Sequence, residues 1–227
     1  MPAECQLFII VNAAGGKTYT LFGLNLPTKS REHRPEPAFD RVEIDTIRSW
    51  VERGGSVLLV ADHHPYGASA STLARALGVD MTGGFAEASN IDPAHPRDRS
   101  RLVYSRDNGL LANHAITNGR SKEERVSRAM TFTGQSLGTA TGVPLLLLGD
   151  SAVDYVPAPP GFQNRSAKGR SQAVAIELKK GRAVVMGEAG ALTAQIDDRG
   201  NQFGMQLPGN DNQQFALNIV HWLARIL

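Results

Sequence analysis

The amino-acid sequence predicts a single α/β domain with a largely parallel sheet. Three observations carry this reading. Residues 6–11 (QLFIIV) and 56–61 (SVLLVA) are short unbroken apolar runs, the pattern of strands covered on both faces. Between them, residues 40–53 put Ile44, Ile47 and Val51 on one helical face, widened by Trp50, and Gly54-Gly55 stops the helix where a left-handed residue is favoured. A second, shorter helix over 69–77, ended by Gly78, follows the second run. Strand–helix–strand–helix order implies right-handed crossovers between parallel strands.

The next stretch, residues 80–118, is weakly patterned. Pro93, Pro96 and many charges make it an irregular excursion with one short strand at 101–104. Strands are then expected at 129–133, 143–148 and 173–178. The last is joined by Lys179-Lys180-Gly181 to a further run at 182–186, which reads as an antiparallel hairpin. The final helix shows an apolar face of Phe215, Ile219, Trp222, Leu223 and Ile226, with Asp211 and Gln214 spaced as a capping box. No internal repeat is present.

Bulk properties narrow the function classes. The chain has 227 residues, enough for a substantial core, and 24 basic against 22 acidic residues, so no strong field for a polyanion. Its one basic cluster, Lys29, Arg31, His33 and Arg34, is interrupted by Pro35 and Pro37 and lacks aromatics, which argues against a nucleic-acid partner. Cys5 is the single cysteine, so neither an internal disulfide nor a cysteine metal site is expected. No apolar run is long enough to span a bilayer, and the start lacks a secretory leader. The expected setting is the cytoplasm, with export left open if residues precede Met1.

In open α/β sheets ligands gather beyond the carboxyl ends of the strands. Three runs here end in an acid: Asp62-His63-His64-Pro65, Gly149-Asp150-Ser151 and Gly187-Glu188. Such acids commonly cap the following turn. The Asp62 segment stands out because two imidazoles and Tyr66 follow it directly before a helix. Adjacent side chains diverge, so one of His63 and His64 is expected in a site. His114, in NHAITNG, is a further imidazole that the fold could bring close. Asp62, His63, His114 and Glu188 together would give a mixed nitrogen–oxygen set suited to a divalent transition metal such as zinc, manganese or iron. A histidine–carboxylate acid–base pair without metal is the equal alternative.

Two motifs imitate known sites. Residues 12–18 (NAAGGKT) follow a strand and end like a phosphate-binding loop, but the glycine required five residues before Gly16 is Val11, so no nucleotide cofactor is expected. Residues 134–138 (GQSLG) satisfy Gly-x-Ser-x-Gly. Ser136 would be the nucleophile of a serine esterase, with His221 or His114 and Asp150 as partners, yet the next strand leaves no room for the helix that such an elbow needs.

Several stretches resemble uncharacterised members of the class I glutamine-amidotransferase-like superfamily: residues 39–67 (FDRVEIDTIRSWVERGGSVLLVADHHPYG), 113–119 (NHAITNG), 180–195 (KGRAVVMGEAGALTAQ) and 209–223 (GNDNQQFALNIVHWL). The resemblance implies a flavodoxin-like three-layer sandwich, mostly parallel, with an antiparallel hairpin near the C-terminus. It carries no glutaminase chemistry, because the Gly-x-Cys-x-Gly elbow is absent. It adds Gln195 and Asn212 to Asp62, His63, His114 and Glu188 as site positions. It also implies that relatives carry one more strand–helix unit before the first strand.

The functional expectation is a hydrolase-type enzyme on a small polar molecule. His63 or His114 acts as base or ligand, Asp62 and Glu188 orient it or bind metal, and His64, Tyr66, Gln195 and Asn212 contact the substrate. The rivals are a non-catalytic ligand-binding or scaffolding domain and the Ser136 esterase. Partners are expected to be a small molecule and a further copy of the chain.

Overall fold

A computed structural model describes residues 5–16, 18–21, 24–27, 35–158, 160–196, 198, 200 and 202–227. The basic cluster at 29–34 and Lys17 of the phosphate-loop imitation lie outside the described residues. In chain order the elements are β1 (Leu7–Val11), the hairpin β2 (Thr18–Leu21) and β3 (Leu24–Pro27), α1 (Arg41–Glu52), β4 (Ser56–Val60), α2 (Tyr66–Ala76), β5 (Val79–Met81), β6 (Phe85–Glu87), β7 (Arg101–Ser105), α3 (Ala115–Asn118) and β8 (Arg128–Phe132). There follow β9 (Leu137–Thr139), β10 (Val143–Pro144), β11 (Val153–Ala158), β12 (Gly161–Ser166), β13 (Ala173–Leu178), β14 (Gly181–Met186), β15 (Ala194–Ile196), β16 (Gln202–Gly204) and α4 (Asn212–Leu223).

The central sheet has the order β1-β4-β14-β13-β10. Its β1–β4 and β4–β14 pairings are parallel, while β14–β13 and β13–β10 are antiparallel. This corrects the expectation of a mostly parallel, flavodoxin-like, glutamine-amidotransferase-like three-layer sandwich. Half of the central pairings run the other way, and the remaining strands of the described residues form one three-stranded and four two-stranded sheets. Two local causes are visible. The Lys179-Lys180 turn folds β13 back on β14 at one end of the sheet. Pro144, lacking an N–H, cuts the apolar run at 143–148 to a two-residue strand followed by isolated bridges.

The elements with clear local signals form as expected. Asp40 caps α1 by accepting from Glu43 N at 2.8 Å, while Glu43 accepts from Asp40 N at 2.9 Å, a reciprocal box. Ile47 and Val51 then bury against Leu59, Leu73 and Val185, so α1 and α2 cover one face of the sheet. Phe215, Ile219, Trp222 and Leu223 of α4 pack with Leu58, Val60, Val184 and Met186 on the other. Helix and sheet approach closely at Gly181, where an added Cβ would run into the Val51 carbonyl oxygen. Only glycine fits there.

Asp211 behaves differently from its expected role. It precedes α4 but makes no side-chain cap bond, because its Oδ2 accepts from Ser127 N (2.7 Å) and Arg128 N (3.0 Å) instead. Gln214 correspondingly donates to Asn218 Oδ1 at 2.9 Å rather than closing a capping box.

Candidate functional site

The register of β4 and β14 builds the site. Val60 stands opposite Met186, so residues 62 and 188 leave the sheet side by side, two positions beyond each strand. Asp62 N donates to Asn12 Oδ1 at 2.9 Å, which ties the segment to the end of β1. From the other side Gln135, fully buried, donates through Nε2 to the carbonyls of Ala61 (2.7 Å) and Asp62 (3.0 Å), and its Oε1 accepts from Gly83 N at 2.8 Å. A buried amide that satisfies three backbone groups fixes their loops relative to one another.

Within this frame His63 N donates to Asp62 Oδ1 at 2.7 Å. The His63 ring sets Nδ1 2.9 Å from the His64 carbonyl oxygen and stacks on Phe85 at 4.7 Å between centroids. A carbonyl can only accept, so Nδ1 carries the proton and Nε2 presents a lone pair. Nε2 lies 3.9 Å from Asp62 Oδ1, with the two side chains 36% and 18% exposed. The His64–Pro65 peptide is cis.

Glu188 is 1% exposed and accepts from Gly190 N (2.5 Å) and Ala191 N (2.8 Å), at the start of a short turn over Gly190–Leu192. Burial pushes its carboxyl up to about 8; the Asp62 charge adds to this, and the backbone amides oppose it. Behind it lies a buried set in which Tyr104 OH (2.8 Å) and Thr131 Oγ1 (2.5 Å) both donate to Gln172 Oε1. Gly134 is pressed between the two groups. A Cβ there would sit 2.7 Å from Glu188 Cβ and 2.8 Å from Gln172 Nε2.

Beside Gly134, Thr133 holds φ at +61°, a conformation that β-branched residues rarely adopt and one that recurs at functional sites. Thr133 lines a cavity of about 330 Å³ with Phe85, Tyr155, Phe162, Glu87 and Arg99, so this cavity opens against the ring on which His63 stacks.

The other expected site residues lie elsewhere. His114 caps α3, accepting from Ile116 N at 3.1 Å, and its ring meets Trp222 at 5.2 Å. Trp222 in turn carries the Arg182 guanidinium 4.7 Å above its ring, and Arg182 pairs with Ser56 at the opposite end of the parallel strands. Roughly 20 Å of extended chain separates residue 56 from Asp62. Burial, offset in part by Glu177 and reinforced by Arg182, holds the His114 imidazole below its usual range. It does not join the cluster, and among the described residues no group of three His, Cys, Asp or Glu side chains is placed to hold a metal ion.

Asn212 is fully buried and exchanges both amide groups with the Met130 backbone at 2.8 Å, closing the free edge of β8. Asn212→Ala is therefore expected to lower stability by roughly 2–4 kcal/mol, measured by urea unfolding, without changing amide exchange at residues 61–63. Gln195 is exposed on β15 and donates to Thr193 Oγ1 at 2.8 Å. Tyr66 packs towards the α1–α2 face.

Ser136 is fully buried at the start of β9, where it donates to Asp154 Oδ2 at 2.6 Å and accepts from Arg170 Nε at 2.5 Å. Burial pushes the Asp154 carboxyl up, against the Ser136 hydrogen bond and the Arg170 charge. No elbow forms, because a strand occupies the place of the helix. Asp150 is exposed and ion-pairs with Lys168 at 3.1 Å.

Sequence reasoning missed Gln135, Asn12, and the cavity residues of β6, β11 and β12. Gln135 was hidden inside the nucleophile imitation. Its signal was an amide between glycines just beyond a buried strand.

No family model matches the chain, and the curated proteins include no match to it. Among solved structures it is similar to the mmIFT52 N-terminal domain, with TM-score 0.50 and 14% identity over 85% of this chain and 75% of that one. It also aligns with the cold-adapted β-galactosidase of Rahnella sp. R3 (TM-score 0.40, 13% identity, 82% of this chain and 21% of that one). A cytoplasmic protein from Salmonella typhimurium LT2 gives TM-score 0.43 and 12% identity over 96% of this chain and 69% of that one. At such identities the first likeness is one of fold, and the chemistry has to be read from this chain's own residues.

Proposed function

We propose that the chain is a hydrolase-type enzyme acting on a small polar molecule at the Asp62 cleft, with His63 as general base. The observation that carries this is the fixed imidazole: Nδ1–H is committed to the His64 carbonyl, Phe85 holds the ring plane, and Nε2 is left with a lone pair near the Asp62 carboxylate. Such a nitrogen takes a proton from water as the water oxygen attacks an electrophilic carbon, and Asp62 stabilises the imidazolium until the proton passes to the leaving group. Glu188, held protonated by burial, keeps a second negative charge away from Asp62.

A screen of ester, amide and glycoside substrates with the wild type and His63→Gln tests this reading. The variant is expected to lose about 100-fold or more in turnover while keeping its unfolding midpoint. Equal turnover in the two proteins would overturn it.

A second reading, ligand binding without turnover, is favoured by one feature. Both Glu188 oxygens are occupied by backbone amides, which is also the arrangement of a purely structural cap. A ligand bound at the cleft with no turnover across the screen selects this reading.

A further inference from the structure

The cavity at Phe85, the ring on which His63 stacks, adjoins a second one. The second, about 340 Å³, is lined by Ser89, Ile91, Ser151 and Val153 and shares Glu87, Arg99 and Tyr155 with the first. Each lies in the volume range of small-molecule sites. The Glu87–Arg99 pair, 3.1 Å apart with side chains 41% and 63% exposed, therefore stands where the two lobes meet. It presents an acceptor and a donor side by side, and its net charge is zero. The Glu87 carboxylate beside the guanidinium weakens its attraction for a carboxylate or phosphate ligand. Two neighbouring hydroxyls fit the pair, one donating to Glu87 and the other accepting from Arg99.

The aromatic residues restrict the ligand further. One side of Phe85 is taken by His63, and Phe162 meets Phe85 at 5.7 Å and 64°. Neither face of Phe85 is therefore left as an open stacking platform for a flat heterocycle. Phe162, 56% exposed on the outer strand of a hairpin, offers an open ring against which the C–H face of a saturated ring can lie, with the half-buried Tyr155 lining both cavities beside it. The second lobe adds hydroxyls rather than charge: Ser151 donates to Ser89 at 2.8 Å.

We infer that the groove along β6 and β11 takes a carbohydrate of more than one ring, with a vicinal diol on the Glu87–Arg99 pair and one ring face on Phe162. This rests on the proposed hydrolase reading only for the location of the reacting bond, beside His63. The Glu87–Arg99 pair and the exposed Phe162 argue for the ligand class without reference to turnover.

Saturation-transfer NMR with the full chain and cellotriose, maltotriose and methyl 2,3-dideoxyglucoside tests the inference. Transfer to at least one trisaccharide is expected, concentrated on one ring face. It should fall at least five-fold in Phe162→Ala and in Arg99→Ala, both exposed positions, and be absent for the dideoxy sugar. Transfer to neither trisaccharide, or transfer unchanged in Phe162→Ala, would overturn the inference. His63→Gln separates the two ideas. Retained trisaccharide binding without any turnover in the wild type leaves the inference standing and the hydrolase reading fallen. His63-dependent hydrolysis of a substrate without hydroxylated rings, alongside absent trisaccharide binding, does the reverse.

Discussion

Replacing Gln135 by leucine is expected to cost about 3–5 kcal/mol of stability and to loosen the Asp62–His63 segment. Leucine matches the size of the amide but makes none of its bonds. Gly83 N–H and the carbonyls of Ala61 and Asp62 would then be left in a site from which water is excluded. Each unsatisfied group costs roughly 1–3 kcal/mol, less whatever the loops recover by shifting. Urea unfolding gives the stability loss, and amide exchange at residues 61–63 and 83 shows whether it is local to the cleft. A loss below about 1 kcal/mol, with unchanged exchange, would mean that the segment is held by Asn12 and the sheet alone.

The second large effect is a pH dependence set by Glu188. Its carboxyl is raised to about 8 in the folded chain from an ordinary value of 4.5, chiefly by burial and then by the Asp62 charge. The folded state therefore keeps a proton that the unfolded state gives up. Any proton held more tightly by the folded chain makes stability fall as pH rises. The contribution is intact below about 4.5, declines between 4.5 and 8, and is gone above 8. On linkage the span corresponds to on the order of 4–5 kcal/mol, an upper value because the loop can open slightly to admit water. Glu188→Gln cannot ionise, so the stability of the variant is expected to be flatter than that of the wild type between pH 5 and 8. Parallel slopes for the two proteins in urea titrations across that window would contradict this assignment.

The legible parts of the molecule are those where local chemistry and tertiary need agree. Residues 56–60 are a fully buried run, and α1 has its cap, its apolar face and its closing glycines in register. The run 7–11 forms its strand as read but is not covered on both faces, because β1 is the outer strand of the sheet and leaves Ile9 and Val11 exposed. The hairpin β13–β14 follows from two apolar runs about a short lysine turn. Reading the remaining sheet as parallel failed because strand direction depends on which neighbour a strand finds. Within 143–148 the signal was Pro144 itself, which leaves only two residues to pair, and reading the run as a full strand passed over it.

β11 and β12 were illegible for a different reason. Their residues carry Pro157 and no alternating pattern, all of β12 is exposed, and their strand character comes from pairing β11 with Phe85–Glu87. The cavity residues they contribute were lost with them.

The placement of Asp62, His63 and Glu188 beyond the ends of β4 and β14 was legible because a strand-end position is a statement about location. His114 was misplaced because its loop carries no indication of which end of the sheet it joins. Asn212 and Ser136 looked chemical by type, yet each spends its polar atoms on the fold: Asn212 on an edge strand, Ser136 on the Asp154–Arg170 pair.

The central claim is that His63 is held as a base, and long-range proton–nitrogen correlation NMR of the imidazoles tests it without any knowledge of the substrate. For the neutral form of the His63 imidazole the expected result is a protonated Nδ1 and a pyridine-like Nε2, with the Nε2 signal perturbed in Asp62→Asn. A protonated Nε2, or rapid exchange between both tautomers insensitive to Asp62, would contradict it.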